Sequence, residues 1–183
     1  MSSTLIAQVV EPYAEALMSL AQANNVTEKI GEDIRSLLSF LENAPELKIF
    51  MENPLIKPED KKSVIRRILG EGTNNYFLNF LLLLVDRRRI LFFKGIAEKY
   101  LELLRKLNNI VLADVTSAVE LSEEQKESVS AKIKQLTNAQ GVELKTSVDQ
   151  GLIGGVIIKV GSKVFDTSLR GQLRRISLSL TGS

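Results

Sequence analysis

The sequence contains no histidine and no cysteine in 183 residues. The missing histidine removes at once the commonest general base, the base of a hydrolytic triad and the commonest metal ligand. The missing cysteine excludes disulfides, thiolate nucleophiles and zinc-thiolate sites, and fits a reducing compartment. What remains for chemistry is lysine, carboxylates and hydroxyls. A strong charge of one sign is also absent: 24 basic and 22 acidic residues leave a net charge of +2, so no global field steers the protein to nucleic acid and any charge effect is local. Long apolar runs are lacking too. The longest, Tyr76 to Val85, includes Asn79 and falls well short of the roughly 20 residues that span a bilayer, so it reads as a buried helix. Met1 to Gln8 shows no basic start or apolar core of a secretory signal, and the expectation is a chain that stays where it is made.

What is present is ordinary for a globular protein, 44% apolar and 25% charged residues, enough for one large domain or two small ones. The first half is written in helical period. Ile6, Val10, Tyr13, Leu17 and Leu20 step by four and three, and Pro12, tolerable near a first turn, places the regular helix from Val9 or Glu11 to Ala23, stopped by Asn24-Asn25. Thr27 is expected to cap a second helix with the stripe Ile30, Ile34, Leu37 or Leu38, and Leu41. A short third piece runs from Glu46 to Met51. Pro58 with Glu59 and Asp60 opens a fourth, ended by Gly70 and Gly72. Thr73 is expected to cap a fifth, whose residues Phe77 to Val85 leave almost no polar face, which predicts a central helix or one covered by a partner. Arg87-Arg88-Arg89 breaks the run before a sixth helix bearing Phe93, Ala97, Tyr100 and Leu104. The expectation is an antiparallel six-helix bundle over residues 1–107.

At Asn108-Asn109 the period changes, and residues 108–183 read as a small α/β domain. Ile110 to Val119 is β-rich, with Val111, Ala113 and Val115 on one face. Ser122 and Gln125 fit a capping box that opens a seventh helix, with Val129, Ile133 and Leu136 as its stripe. Val142, Leu144, Thr146 and Val148 alternate with polar residues as a half-buried strand. A hairpin from it to the run Val156 to Val160 is the expected pairing. Gly161-Ser162 then turns into Lys163-Val164-Phe165, since glycine reaches positive φ without steric cost. Asp166, Thr167 and Ser168 are candidate caps for a terminal helix with the stripe Leu169, Leu173, Ile176 and Leu180. The fold class is therefore mostly α with a small α+β part.

No catalytic, metal or cofactor constellation survives this reading. Gly151-Leu152-Ile153-Gly154-Gly155 is glycine-rich, but a phosphate loop needs Gly-Lys-Ser/Thr leading directly into a helix, and here a strand follows. Gly154 and Gly155 therefore serve backbone geometry at the start of the strand. Arg87 to Arg89 suit phosphates or lipid headgroups, or simply a solvated loop at helix ends. Arg170, Arg174 and Arg175 flank the terminal stripe, which docks on its own sheet, offers a basic edge to an acidic partner helix, or does both. Glu59-Asp60 and Glu123-Glu124 sit at helix starts, where the dipole explains them.

The block VDQGLIGGVIIKVGSKVFDTSLRGQLRRI closely resembles the C-terminal signature of the delta subunit family of F-type ATP synthases, called the oligomycin-sensitivity-conferring protein in mitochondria. Tyr13-Ala14-Glu15-Ala16-Leu17 is similar to the first-helix motif of that family, and Asn79-Phe80-Leu81 leading to Arg89-Ile90 to its fifth-helix region. The sequence departs from the pattern at Gln150-Gly151 and at Thr167, where glycine is frequent. The resemblance implies a non-catalytic stator subunit of the proton-translocating ATP synthase. It implies a helical domain that binds the N-terminal segments of alpha subunits on the catalytic head, and a second domain that holds the C-terminal end of the b-type peripheral stalk.

It also implies no cofactor, no nucleic acid, no small-molecule substrate, and contact with a membrane only through the complex. The implied location is peripheral, on the cytoplasmic or stromal side of an energy-transducing membrane. The phrase from Ser168 to Leu178 looks most like cyanobacterial and plastid versions, which makes a thylakoid the expected membrane. An apolar groove between the first and fifth helices would receive an amphipathic partner helix, with Tyr13, Ala14, Leu17, Phe80, Leu81 and Leu84 as candidate contacts. Arg170 and Arg174 are the candidates for the stalk, and Gly154, Gly155 and Gly161 for structural turns. A nucleic-acid-binding helical module using Arg87 to Arg89 and the C-terminal arginines is the rival from another class.

Overall fold

A computed structural model describes residues 3–70 and 72–174, with side chains described from residue 8 onward. The chain divides into two compact units, residues 1–104 and 105–183. It is mostly helical, with one four-stranded sheet.

The first unit is built from α1 (Ser3–Ala23), α2 (Thr27–Asn43), α3 (Pro45–Glu52), α4 (Pro58–Leu69), α5 (Asn75–Asp86), a 3-10 turn at Ile90–Phe92 and α6 (Phe93–Leu107). Its core joins Ala14, Leu17, Met18 and Ala21 of α1 to Ile30 and Ile34 of α2 and Ile65 of α4. Phe77, Phe80, Leu81, Leu84 and Val85 of α5 complete it with Phe93, Ile96, Ala97, Tyr100, Leu101 and Leu104. The residues of the helical stripes thus meet in one apolar interior, where each fully buried large side chain contributes roughly 1.5–3 kcal/mol. Positive φ follows four of these helices, at Asn25 after α1, Gly70 after α4, Arg88 after α5 and Asn109 after α6; after α1 and α5 the N–H groups of Val26 and Arg89 donate back to the Ala21 and Leu84 carbonyls, which satisfies part of the last turn, whereas Gly70, with ψ −169°, ends α4 in a conformation that suits glycine.

Three expectations about helix starts are corrected. Helix α1 begins at Ser3, so Pro12 lies inside it. Pro12 and Gln8 are both exposed residues, and on an exposed face water can replace the bond that the proline removes from the Gln8 carbonyl, which lowers its cost. Thr27 is the first residue of α2 and makes no side-chain cap; its carbonyl instead accepts from the Tyr100 hydroxyl at 3.0 Å. Asn74, not Thr73, caps α5 by accepting from the Tyr76 N–H, while the Thr73 hydroxyl donates to the Leu69 carbonyl. Hydroxyl and amide side chains compete for the same orphan groups, and backbone direction decides between them.

The second unit contains β1 (Ile110–Ser117), α7 (Glu123–Thr137), β2 (Gly141–Val148), a 3-10 turn at Gln150–Leu152, β3 (Val156–Val160) and β4 (Lys163–Asp166). Residues 169–174 are helical and are labelled α8; Arg175, Ile176 and Leu180 lie outside the described residues. Strand order is β2-β1-β3-β4. The expected hairpin between β2 and β3 does not form. Strand β2 instead pairs in parallel with β1, Ala113 opposite Leu144, and β3 pairs antiparallel with the other edge of β1. The physical reason is the crossover helix α7. Strand, helix and strand form a βαβ unit that returns β2 parallel to β1, and β1, with Ala113 and Val115 fully buried, is the strand that can be covered on both edges. Thr146 and Val148 of the edge strand β2 are exposed, so its alternation buries only its first half. The capping box of α7 is present, Ser122 accepting from the Gln125 N–H and the Gln125 side chain accepting from the Ser122 N–H.

Candidate functional site

Two surfaces hold the residues singled out in the sequence, one on each unit. On the helical unit, α1 and α5 lie antiparallel. The Tyr76 hydroxyl donates to Asn24 Oδ1 at 2.8 Å at one end, Tyr13 meets Phe80 edge-on with ring centroids 6.3 Å apart in the middle, and Arg89 Nη1 donates to the Tyr13 hydroxyl at 2.8 Å at the other. Of the six candidate groove residues, Ala14, Leu17, Phe80, Leu81 and Leu84 are buried in the core of the unit and Tyr13 is half-buried. They hold α1 against α5 and form the support beneath a surface. The surface itself is carried by other side chains of the same two helices: Leu20, Tyr76 and Leu83 remain 39%, 40% and 44% exposed. Sequence reading missed Tyr76 and Leu83. Their signal was the absence of a polar face on α5, where Asn75, Tyr76, Asn79, Leu83 and Asp86 make up the exposed side.

The arginine run divides. Arg87 and Arg88 are exposed and Arg89 is half-buried, its guanidinium carbon 5.2 Å from the centre of the Tyr13 ring. A desolvated cation over an aromatic face is a favourable structural contact, so Arg89 belongs to the α1–α5 framework.

On the second unit, Gly155 has φ +79°, and a β-carbon there would stand 2.5 Å from the Thr167 carbonyl oxygen and 2.9 Å from Ser168 Cα. Around this close approach the chain is stitched by backbone bonds, the Thr167 N–H donating to the Val156 carbonyl and the Leu169 N–H to the Gly154 carbonyl. Asp166 Oδ1 accepts from both the N–H and the hydroxyl of Ser168, and the buried Ser168 oxygen accepts from the Gly171 N–H, capping α8. Gly161, at φ +58° with open space around it, turns β3 into β4.

This corner sets out an apolar and basic edge. Leu169 and Leu173 are exposed, and Ile153 is 68% exposed at a positive φ of 66°, a conformation a β-branched residue adopts only under constraint. Arg170 lies 3.9 Å from Asp149 in a loose, exposed ion pair, and Arg174 is exposed one turn further on. Ile153 was also missed in the sequence reading, because a strained backbone has no compositional mark.

Among the described residues no cluster of three potential metal ligands occurs, and neither surface brings together a nucleophile, a base and an orienting group. Each unit thus presents exposed apolar side chains on a fixed backbone support. The chain belongs to the ATP synthase delta (OSCP) subunit family, whose sequence profile matches residues 9–180. It is similar to the ATP synthase subunit delta of Gloeothece citriformis, 58% identical over 180 residues that cover 98% of each chain. It is likewise similar to that of Crocosphaera subtropica, 61% identical over 176 residues covering 96% of this chain and 95% of the other. Its fold matches a chain in the cryo-EM structure of the Toxoplasma gondii mitochondrial ATP synthase hexamer with a TM-score of 0.76 and 20% identity, covering 94% of this chain and 97% of that one. The protein is thus a structural stator component of an ATP synthase and is not itself catalytic.

Proposed function

We propose that the chain links the catalytic head to the peripheral stalk through its two surfaces. The helical unit acts as a six-helix bundle whose α1–α5 face takes the N-terminal segments of alpha subunits as amphipathic helices. The second unit holds the C-terminal end of b-type stalk subunits on the edge formed by Ile153, Leu169, Leu173, Arg170 and Arg174. The observation that carries the first assignment is that Leu20, Tyr76 and Leu83 stay exposed on two packed helices whose inner side chains are buried, which leaves apolar anchors for a helix-in-groove partner. The basic edge supports the second, since arginines beside an apolar stripe suit an acidic amphipathic helix. A stator must resist torque without performing chemistry, so the absence of histidine and cysteine is no handicap. The protein acts at the periphery of an energy-transducing membrane, on its cytoplasmic or stromal side. No described helix is long and apolar enough to cross a bilayer, and the cyanobacterial relatives support a thylakoid setting.

A helical nucleic-acid-binding module is the less favoured reading, because Arg89 is engaged with Tyr13 and the net charge is only +2. Titration of the full chain with a peptide from the alpha-subunit N-terminus, followed by amide shifts in α1 and α5, tests the main assignment. Saturable binding centred on Leu20, Tyr76 and Leu83 is expected. No binding at micromolar concentration overturns it, and salt-sensitive binding of an oligonucleotide would favour the rival.

A further inference from the structure

The turn that leads into β3 holds one apolar side chain out in water against the preference of its own backbone. Ile153 stands at φ +66° and ψ −41°, a region that a residue branched at Cβ enters only when its surroundings force it, and its side chain is 68% exposed. The forcing comes from both sides. Leu152 is fully buried and its N–H donates to the Asp149 carbonyl at 3.1 Å, the Ile153 N–H donates to the Gln150 carbonyl at 3.2 Å, and the Gly154 carbonyl accepts from the Leu169 N–H at 2.9 Å. The chain reverses between a side chain driven inward and a carbonyl pinned to the start of α8, and Ile153 is the residue at which it does so.

Backbone geometry gives no reason for isoleucine at this position. Glycine takes positive φ without steric cost, as Gly155 does two residues on, and asparagine takes it at Asn25, Asn109 and Asn138. Exposure to water also favours a polar residue, so conformation and solvent both weigh against the one found. We propose, resting on the assignment of this edge to the b-type stalk, that Ile153 is the anchor of that contact, a preset apolar knob strained and exposed in the free chain and buried against the apolar stripe of the stalk helix. Its neighbours fit the role. A β-carbon on Gly154 would meet Leu169 Cδ1 at 2.9 Å, so Leu169 packs over the residue next to Ile153, and a β-carbon on Gly151 would meet Arg170 Nη1 at 3.4 Å. The Arg170 guanidinium therefore lies over the same turn, in an exposed pair with Asp149 that solvent screens. Two apolar side chains and a cation converging on one short turn suit an amphipathic helix with acidic residues beside its apolar stripe. A side chain already fixed in place loses little freedom on burial and so contributes more to affinity than a mobile one of equal size.

The test uses the full chain and a peptide from the C-terminal end of a b-type stalk subunit, with affinity read by calorimetry and the stability of the second unit by amide exchange of β3. Ile153→Gly and Ile153→Asn each relieve the backbone and remove the apolar side chain. Each should slow exchange about fivefold or more and weaken peptide binding at least about tenfold, a gain in stability coupled to a loss of binding that a merely structural turn residue would not give. Ile153→Leu keeps an apolar side chain without the branch at Cβ and should bind within about threefold of the unsubstituted chain. Leu173→Glu tests the edge apart from the anchor, and should weaken the peptide without slowing exchange. The proposal is overturned if either Ile153→Gly or Ile153→Asn binds as tightly as the unsubstituted chain, if exchange quickens in either, or if Ile153→Leu binds no better than they do. In those cases a loss of binding in Leu173→Glu leaves the stalk assignment standing without the anchor. Failure of the unsubstituted chain to bind the peptide at micromolar concentration overturns the assignment and the anchor together.

Discussion

Arg89 holds Tyr13 twice, donating from Nη1 to the phenol oxygen at 2.8 Å while its guanidinium carbon lies 5.2 Å from the ring centre. This contact ties the turn after α5 to the middle of α1 and fixes one end of the α1–α5 face. Tyr13→Phe keeps the ring and removes the hydrogen bond, and should cost ~1 kcal/mol in urea unfolding. Arg89→Ala removes both contacts and should cost ~1–2 kcal/mol. Equal stability of Arg89→Ala and the unsubstituted chain would show that the contact carries no weight.

The two turn glycines should behave differently. Gly155→Ala combines positive φ with a β-carbon driven into the Thr167 carbonyl, and should destabilise the second unit by ~3 kcal/mol or more. Gly161→Ala meets only the backbone penalty, since nothing lies within 4 Å, and should cost ~1 kcal/mol. Comparing the unfolding of the second unit in the two variants, by amide exchange of β3, checks the difference.

Leu81 and Leu83 are two positions apart on α5 and should respond oppositely to a charge. Leu83→Glu, on the exposed side, should leave stability within about 1 kcal/mol and reduce affinity for the alpha-subunit peptide. Leu81 is 1% exposed, and glutamate there should unfold the helical unit, because a buried unpaired carboxylate costs several kcal/mol. Charged substitutions at Leu81 or Leu84 therefore report on the core. If Leu83→Glu binds the peptide unchanged, the partner face is wrongly placed.

Tyr100 gives the helical unit a limit in alkali. Burial first, and the nearby Glu28 carboxylate second, push its phenol well above the ordinary tyrosine value, while its hydroxyl donates to the Thr27 carbonyl. With the folded pKa above the unfolded one, this contribution is complete below about pH 10 and is lost as pH rises toward the folded value. Lysines pull both ways in the same range. Lys62, raised chiefly by its hydrogen bond to Asp86, adds to the loss, and Lys61, lowered by burial, opposes it. The diagnostic is therefore a difference: Tyr100→Phe should lose ~1 kcal/mol at neutral pH and show a shallower decline above about pH 10. Parallel pH curves for the two proteins would remove Tyr100 from the account.

Periodicity, prolines and glycines determined much of this protein by themselves. Hydrophobic spacing of three and four marked α1, α2, α4, α6 and α7, Ser122 with Gln125 marked a cap, and Gly161-Ser162 marked the β3–β4 turn, because each of these depends on neighbours within about one helical turn or one tight turn of chain. The signature block pointed to the family for the same reason, being contiguous. Only the tertiary structure decided which strand lies beside which. An alternating strand shows which face is buried and not which edge is paired, and α7 carried β2 to the far side of β1. It also decided which face of α5 is open. A helix apolar all round bears no mark distinguishing Leu81 from Leu83, and only the packing of the other helices around it buries the one and leaves the other exposed.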